Sequence, residues 1–239
     1  MFHLLFLDAP AALRRDSRLF WLACLVFFIP LVAAFIMAQI SSEAVLLIYN
    51  EPQLLEFKRM YHPQWQEMTV QQRSNTEQFM FYVLNNNWVG IQLFLLGAVL
   101  GVGTLVFLGY TGFSLGLMMG YLSAAGYNDM LWSTISTHSS FEILATLIAA
   151  VAGMKWGFSL VLIANPARRR QFGIRFAQSV LLLVNALVFF ILAALIEAYW
   201  SSGFITSVQT KYFTGILSWA ILIAYVLFFG RTKTKNENI

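Results

Sequence analysis

The chain has 239 residues, 59% of them hydrophobic and only 11% charged, with 22 Phe and 7 Trp. A soluble domain carries about 25% charged residues, so the composition excludes a soluble domain and specifies an all-α polytopic membrane protein. The formal charge of +4 does not point to nucleic acid, because the basic residues flank apolar runs, and the single cysteine, Cys24, excludes an internal disulfide and reads as a packing residue.

Residues 1–18 are too short and too interrupted to span. Asp8 is placed to cap a helix with Pro10 in its first turn and Arg14, Arg15 and Arg18 on its far side. This predicts an amphipathic helix lying on the inner leaflet. Leu19 to Ile40 is the first span, too long for a cleaved signal and kinked at Pro30. Residues 41–86 form the only large extramembrane segment. A helix start is expected at Asn50-Glu51-Pro52-Gln53. Leu47, Leu54, Leu55, Phe57 and Tyr61 make an amphipathic stretch, His62-Pro63 a break, and Thr69 a cap for a second helix. The segment is too short to bury a core of its own, so residues 1–239 form one membrane domain. The remaining spans are expected at Trp88 to Gly109, Gly112 to Ala125, His138 to Ala164, Phe176 to Tyr199 and Tyr212 to Phe229.

Charge tests this count. With the N-terminus inside and six crossings, the inner side holds Arg14, Arg15, Arg18, Arg168, Arg169, Arg170, Arg175, Arg231, Lys233 and Lys235. The outer side holds Lys58, Arg59, Arg73 and Lys211. Ten against four satisfies the positive-inside rule. It places the chain in the inner or plasma membrane with both termini in the cytoplasm.

Within the fourth span, His138 and Glu142 are four residues apart, and Ala145, Ala149, Gly153 and Gly157 follow at the same interval. At about 100° per residue they share one side of a helix, with two titratable groups above a face that carries almost no side chains. Such a face admits another backbone. Similar ridges occur at Gly97 and Gly101 and at Gly112, Gly116 and Gly120, predicting a tight core of spans two, three and four. The topology brings Asn85, Asn86, Asn87, His138, Glu142 and Glu197 to one level, one or two helical turns below the outer surface. Two readings stand side by side. Such groups act as interhelical glue, and an intramembrane ionisable residue is a functional candidate by default. Metal binding is not expected, because His138 and Glu142 supply two ligands where zinc takes three or four, and no cofactor is expected. Lys155, off the glycine ridge, is expected to snorkel to the inner surface, and Asn185 to bond to a neighbouring helix. Arg168, Arg169 and Arg170 either set topology or contact lipid head groups.

Three stretches together resemble the stage II sporulation protein M family of integral membrane proteins: residues 81–116, residues 138–157 and residues 193–203. In that family the second stretch usually reads His-Gly-x-x-Glu, and the turn between spans two and three often carries Asn-Gly. Here those positions hold Ser139 and Thr111, with Gly112 kept, and His138, Glu142 and Glu197 match. The resemblance implies a membrane component of machinery that remodels peptidoglycan and membrane, acting beside separate hydrolases, with no enzymatic activity of its own. The expectation is therefore a non-enzymatic scaffold with membrane lipids, protein partners or a second copy of itself as neighbours. The alternative is a proton-, ion- or lipid-coupled transporter using His138, Glu142 and Glu197, which requires a cavity reaching those groups. An intramembrane hydrolase would need a nucleophile or a further ligand beside His138.

Overall fold

The structure, a computed structural model, describes residues 3–61, 74–201 and 207–231. Among the described residues all regular structure is helical, and six stretches are long and apolar enough to cross a membrane. These are Ser17–Ile40, Asn75–Ala98, Val102–Ala124, Asn128–Leu162, Pro166–Ser201 and Val208–Phe228. The helices are α1 (Ala9–Arg15), α2 (Ser17–Ile40), α3 (Glu51–Tyr61), α4 (Asn75–Leu95), α5 (Val102–Ala124), α6 (Asn128–Ser159), α7 (Arg169–Ile196) and α8 (Val208–Phe228). The helix start at Asn50 is as expected: Asn50 Oδ1 accepts from the Gln53 amide, and Gln53 Oε1 from the Asn50 amide, both at 3.0 Å. The expected break at His62-Pro63 and cap at Thr69 lie outside the described residues.

The second and third spans begin earlier than hydropathy suggested. Ser74 and Glu77 form a reciprocal capping box, so Asn75 to Asn86 belong to a span and not to the extramembrane segment. The turn between α4 and α5 falls at Val99–Gly101, with Leu100 at φ 50° and Gly101 at φ 78°, while Thr111 and Gly112 lie inside α5. An unbroken apolar run conceals such a turn. Only the left-handed residue pair, where glycine is favoured, marks it.

α6 is the axis of the bundle: 78% of its most apolar window is buried inside the protein, against 17–44% for the other five spans. Its glycine seam meets α4 as the sequence implied. A Cβ on Gly153 would fall on the Leu93 carbonyl oxygen, and one on Gly157 on the Gly97 carbonyl and the Gly101 backbone. Ala145 and Ala149 are fully buried along the same face. The other ridge was assigned to the wrong neighbour. Gly112, Gly116 and Gly120 lie against the carbonyls of Phe27, Leu31 and Phe35, so this ridge packs in parallel on α2, while Thr104 and Leu108 at the start of α5 join the core with α4 and α6. A bare ridge specifies that a backbone will approach, not which one. Above this pair, Tyr49 meets the Ser114 hydroxyl at 2.5 Å and stacks edge-on against Phe57, which fastens the 41–61 segment to α5.

The N-terminal helix does not simply lie on a surface. Ala9, Ala12 and Leu13 are at most 2% exposed, and the preceding turn, Leu4–Asp8, reaches in to α7 and α8. There the Tyr225 hydroxyl donates to the Leu5 carbonyl at 2.6 Å, and Asn185 Nδ2 donates to Tyr225 Oη at 3.0 Å. Asp8 makes no cap; it pairs with His3 at 3.0 Å. Arg14 instead caps the end of α8, donating to the carbonyls of Val226 and Phe229, each at 2.6 Å. These carbonyls have no partner within their own helix. Arg14→Gln is therefore expected to cost about 2 kcal/mol, read as a lowered denaturation midpoint of the detergent-solubilised protein.

Lys155 does not snorkel. It is 5% exposed, and its Nζ donates to Asp16 Oδ2 at 2.5 Å, tying the start of α2 to the central helix.

Candidate functional site

His138, Glu142 and Glu197 converge beside α6. His138 Nε2 lies 3.9 Å from Glu142 Oε2 and 4.0 Å from Glu197 Oε1. The spacing of four residues along α6 delivers the first two. Glu197 arrives because α7 ends in a widened π turn, Glu197–Ser201, a device that often marks functional sites. The same turn brings Ser201 Oγ to 3.0 Å from His138 Nδ1, and Ser201 also meets Thr137 Oγ1. Lys211 Nζ donates to the Ser201 carbonyl at 2.8 Å and holds the turn from α8.

Of the three asparagines only Asn86 joins the cluster, its Nδ2 donating to Glu142 Oε1 at 2.5 Å. Asn85 is exposed and donates to Asn86 Oδ1 at 3.0 Å. Asn87 turns away and donates to the Val83 carbonyl of its own helix at 2.8 Å. Three consecutive residues spread over about 200° of a helix, so they cannot all face one neighbour. Along their helices Asn86 is at the middle of Asn75–Ala98, Glu142 near the middle of Asn128–Leu162 and Glu197 about one turn from the end of Pro166–Ser201.

Two tyrosines complete the site and were not singled out as part of it from the sequence. Tyr82, one turn before Asn86 on α4, lies beside Glu197. Tyr61, the last residue of α3, is brought over the cluster. Burial, with the carboxylates of Glu197 and Glu142 nearby, raises its phenol above the ordinary value. The spacing of Tyr82 from Asn86 was a usable signal; nothing local announced Tyr61, which arrives by tertiary packing.

A cavity of about 1210 Å³ reaches these groups. Its walls are largely apolar, including Phe28, Leu31 and Val32 of α2, Phe81 of α4 and Leu115 of α5. Glu56 and Arg59 of α3 also line it, as do His138, Glu142, Glu197 and Asn86. Arg168, Arg169 and Arg170 do not line it and are exposed at the start of α7.

The stage II sporulation protein M family matches residues 19–202. A protein of Methanocaldococcus jannaschii, described as uncharacterized, is 30% identical over 120 residues, which cover 49% of this chain and 67% of that protein. No solved structure matches the chain. The matched stretch spans the first five crossings and every member of the buried cluster, and the chain belongs to the stage II sporulation protein M family.

Proposed function

We propose that this chain is a non-enzymatic component of an envelope or membrane-remodelling assembly, and that it handles an amphipathic ligand within the cell membrane. The cavity carries the reading. Helix adhesion fills space, and it has no use for about 1210 Å³ of largely apolar-walled volume that reaches a histidine and two glutamates. An amphiphile fits that division, with its apolar part along α2 and α5 and its polar end at the cluster. The family's name supports the setting. Both termini face the cytoplasm in this reading, since Arg14, Arg15, Arg18, Arg168, Arg169, Arg170 and Arg175 gather at one end of the bundle, where the exposed arginines meet anionic head groups.

The second reading is a scaffold with no cargo, in which the cluster only joins helices. It draws on the glycine seams, but these are spent internally: Gly97, Gly101, Gly112, Gly116, Gly120, Gly153 and Gly157 all abut this chain's own atoms. A homo-oligomer built on a free ridge therefore has no support here.

Vesicles separate the two. The full chain, reconstituted with fluorescent phospholipid, is expected to move lipid between leaflets faster than empty vesicles do. His138→Ala and Glu142→Gln should lose most of that rate while keeping the wild-type elution volume in detergent. A wild-type rate equal to that of empty vesicles, with co-purifying proteins lost from the Glu142→Gln variant, gives the scaffold reading instead.

A further inference from the structure

The buried cluster is built like the inner shell of a metal site, each member offering one atom to a common point, with His138 and Glu142 also held by another atom from behind. The offered atoms of His138, Glu142 and Glu197 all lie within 4.8 Å of one another. At 3.9 and 4.0 Å, the separations from His138 Nε2 exceed hydrogen-bond length. Ligands of one first-row cation stand about 3.3 Å apart for bonds near 2.1 Å, so small side-chain rotations close the shell.

The supporting contacts fix which atoms are offered. Thr137 Oγ1 donates to the Thr134 carbonyl at 2.8 Å, so the one Ser201 hydroxyl proton goes either to Thr137 or to the Ile196 carbonyl at 3.3 Å. The Ser201 oxygen is then left to accept from Nδ1–H of His138 at 3.0 Å. Its lone pair at Nε2 faces the carboxylates. Glu142 keeps Oε1 on Asn86 and turns Oε2 inward, and Glu197 turns Oε1 towards the imidazole. Outer partners of this kind orient metal ligands and set the imidazole tautomer.

The inward-facing atoms are thus three acceptors with no donor among them, and no lysine or arginine pairs with either carboxylate among the described residues. In a low-dielectric interior such an arrangement repels itself unless positive charge sits at its centre. We propose that His138, Glu142 and Glu197 bind one divalent first-row cation, Zn²⁺ or Mn²⁺ being the class that suits one imidazole and two carboxylates. Three protein ligands leave a coordination position open. It faces the cavity, where it would take an anionic or carbonyl oxygen of the ligand. The inference rests on the reading above that this cluster receives a ligand.

The test uses the full chain in detergent, stripped with a chelator and titrated with Zn²⁺ or Mn²⁺ alone. One ion per chain is expected, with X-ray absorption reporting one nitrogen and two or more oxygen ligands. Affinity should fall beyond detection in His138→Ala and by about 10-fold in Ser201→Ala, which removes only the outer contact. Thermal unfolding of each apo protein checks that the variants fold, and the absorption spectrum of the wild type stands even if they do not. The proposal is overturned if the folded wild type binds neither ion more tightly than His138→Ala does. It is equally overturned if the spectrum has no nitrogen ligand, the positive charge then being a proton shared by the carboxylates. Lipid movement that depends on Glu142 without bound metal would remove this inference and leave the transport reading. Bound metal with no lipid movement would do the reverse.

Discussion

Gly153→Leu is expected to abolish the folded protein, with little or no material surviving extraction as a single species and a large drop in Tm for whatever does. The seam at this point has no slack. A Cβ on Gly153 would meet not only the Leu93 carbonyl oxygen but also Thr104 Oγ1, at 2.6 Å, and that hydroxyl already donates to the Leu93 carbonyl at 2.8 Å. Overpacking a soluble core costs about 1–3 kcal/mol because side chains give way. Here two backbones and a buried hydrogen bond stand in the way, so the cost should reach or exceed the top of that range. The disturbance would extend to the α4–α5 turn, since Gly97 lies on the Gly153 carbonyl and Gly157 on Gly101. Gly173→Leu is the control: nothing lies within 4 Å of its Cβ position, and its Tm should stay near wild type. Equal loss in both variants would mean that bulk anywhere in the chain is harmful, and that the seam is not special.

The second large effect is expected two residues further along α6, at Lys155. Asp16→Ala strips the partner from Lys155, leaving an ammonium that is only 5% exposed at the base of the central helix. Breaking a buried pair by removing one partner costs about 3–5 kcal/mol, chiefly because the remaining charge has no compensation. Lys155→Met should be milder, since the Asp16 side chain keeps 20% of its surface exposed and retains some water. The double variant should recover most of what Asp16→Ala loses, because an apolar pair of similar volume carries no desolvation penalty. A double-mutant cycle on unfolding free energies measures this coupling. Strict additivity of the two changes would show that the 2.5 Å contact contributes nothing and that Lys155 finds another partner.

Both effects depend on contacts that differ in how far they could be foreseen. The Gly153–Gly97 seam follows from small residues repeating every four positions on two adjacent spans, a pattern with local geometry behind it. The Asp16–Lys155 pair joins residues 139 positions apart, and a lysine near the end of a span looks, by hydropathy, like one that reaches for the surface. The N-terminal segment raises the same difficulty. Its alternation of arginines with alanine and leucine reads as an interfacial helix, yet the small side chains of Ala9 and Ala12 let it settle against the bundle, and Arg14 finds unpaired carbonyls on α8.

What the residues determined alone was periodicity and polarity: the all-helical class, six crossings, the helix start at Asn50, and His138 and Glu142 on one face of one helix. These are properties of single segments, set by hydrogen-bond geometry and by the cost of placing polar groups in lipid. Only the tertiary structure decided which backbone each glycine ridge meets, where the apolar run of spans two and three turns, which of three asparagines faces inward, and that a cavity reaches the cluster. The physical reason is that in a membrane apolar side chains gain almost nothing by leaving lipid for protein, so hydropathy marks what enters the bilayer and is silent on who touches whom. Neighbours are then chosen by fit and by a few hydrogen bonds between distant segments, such as Asn86 with Glu142 and Ser201 with His138.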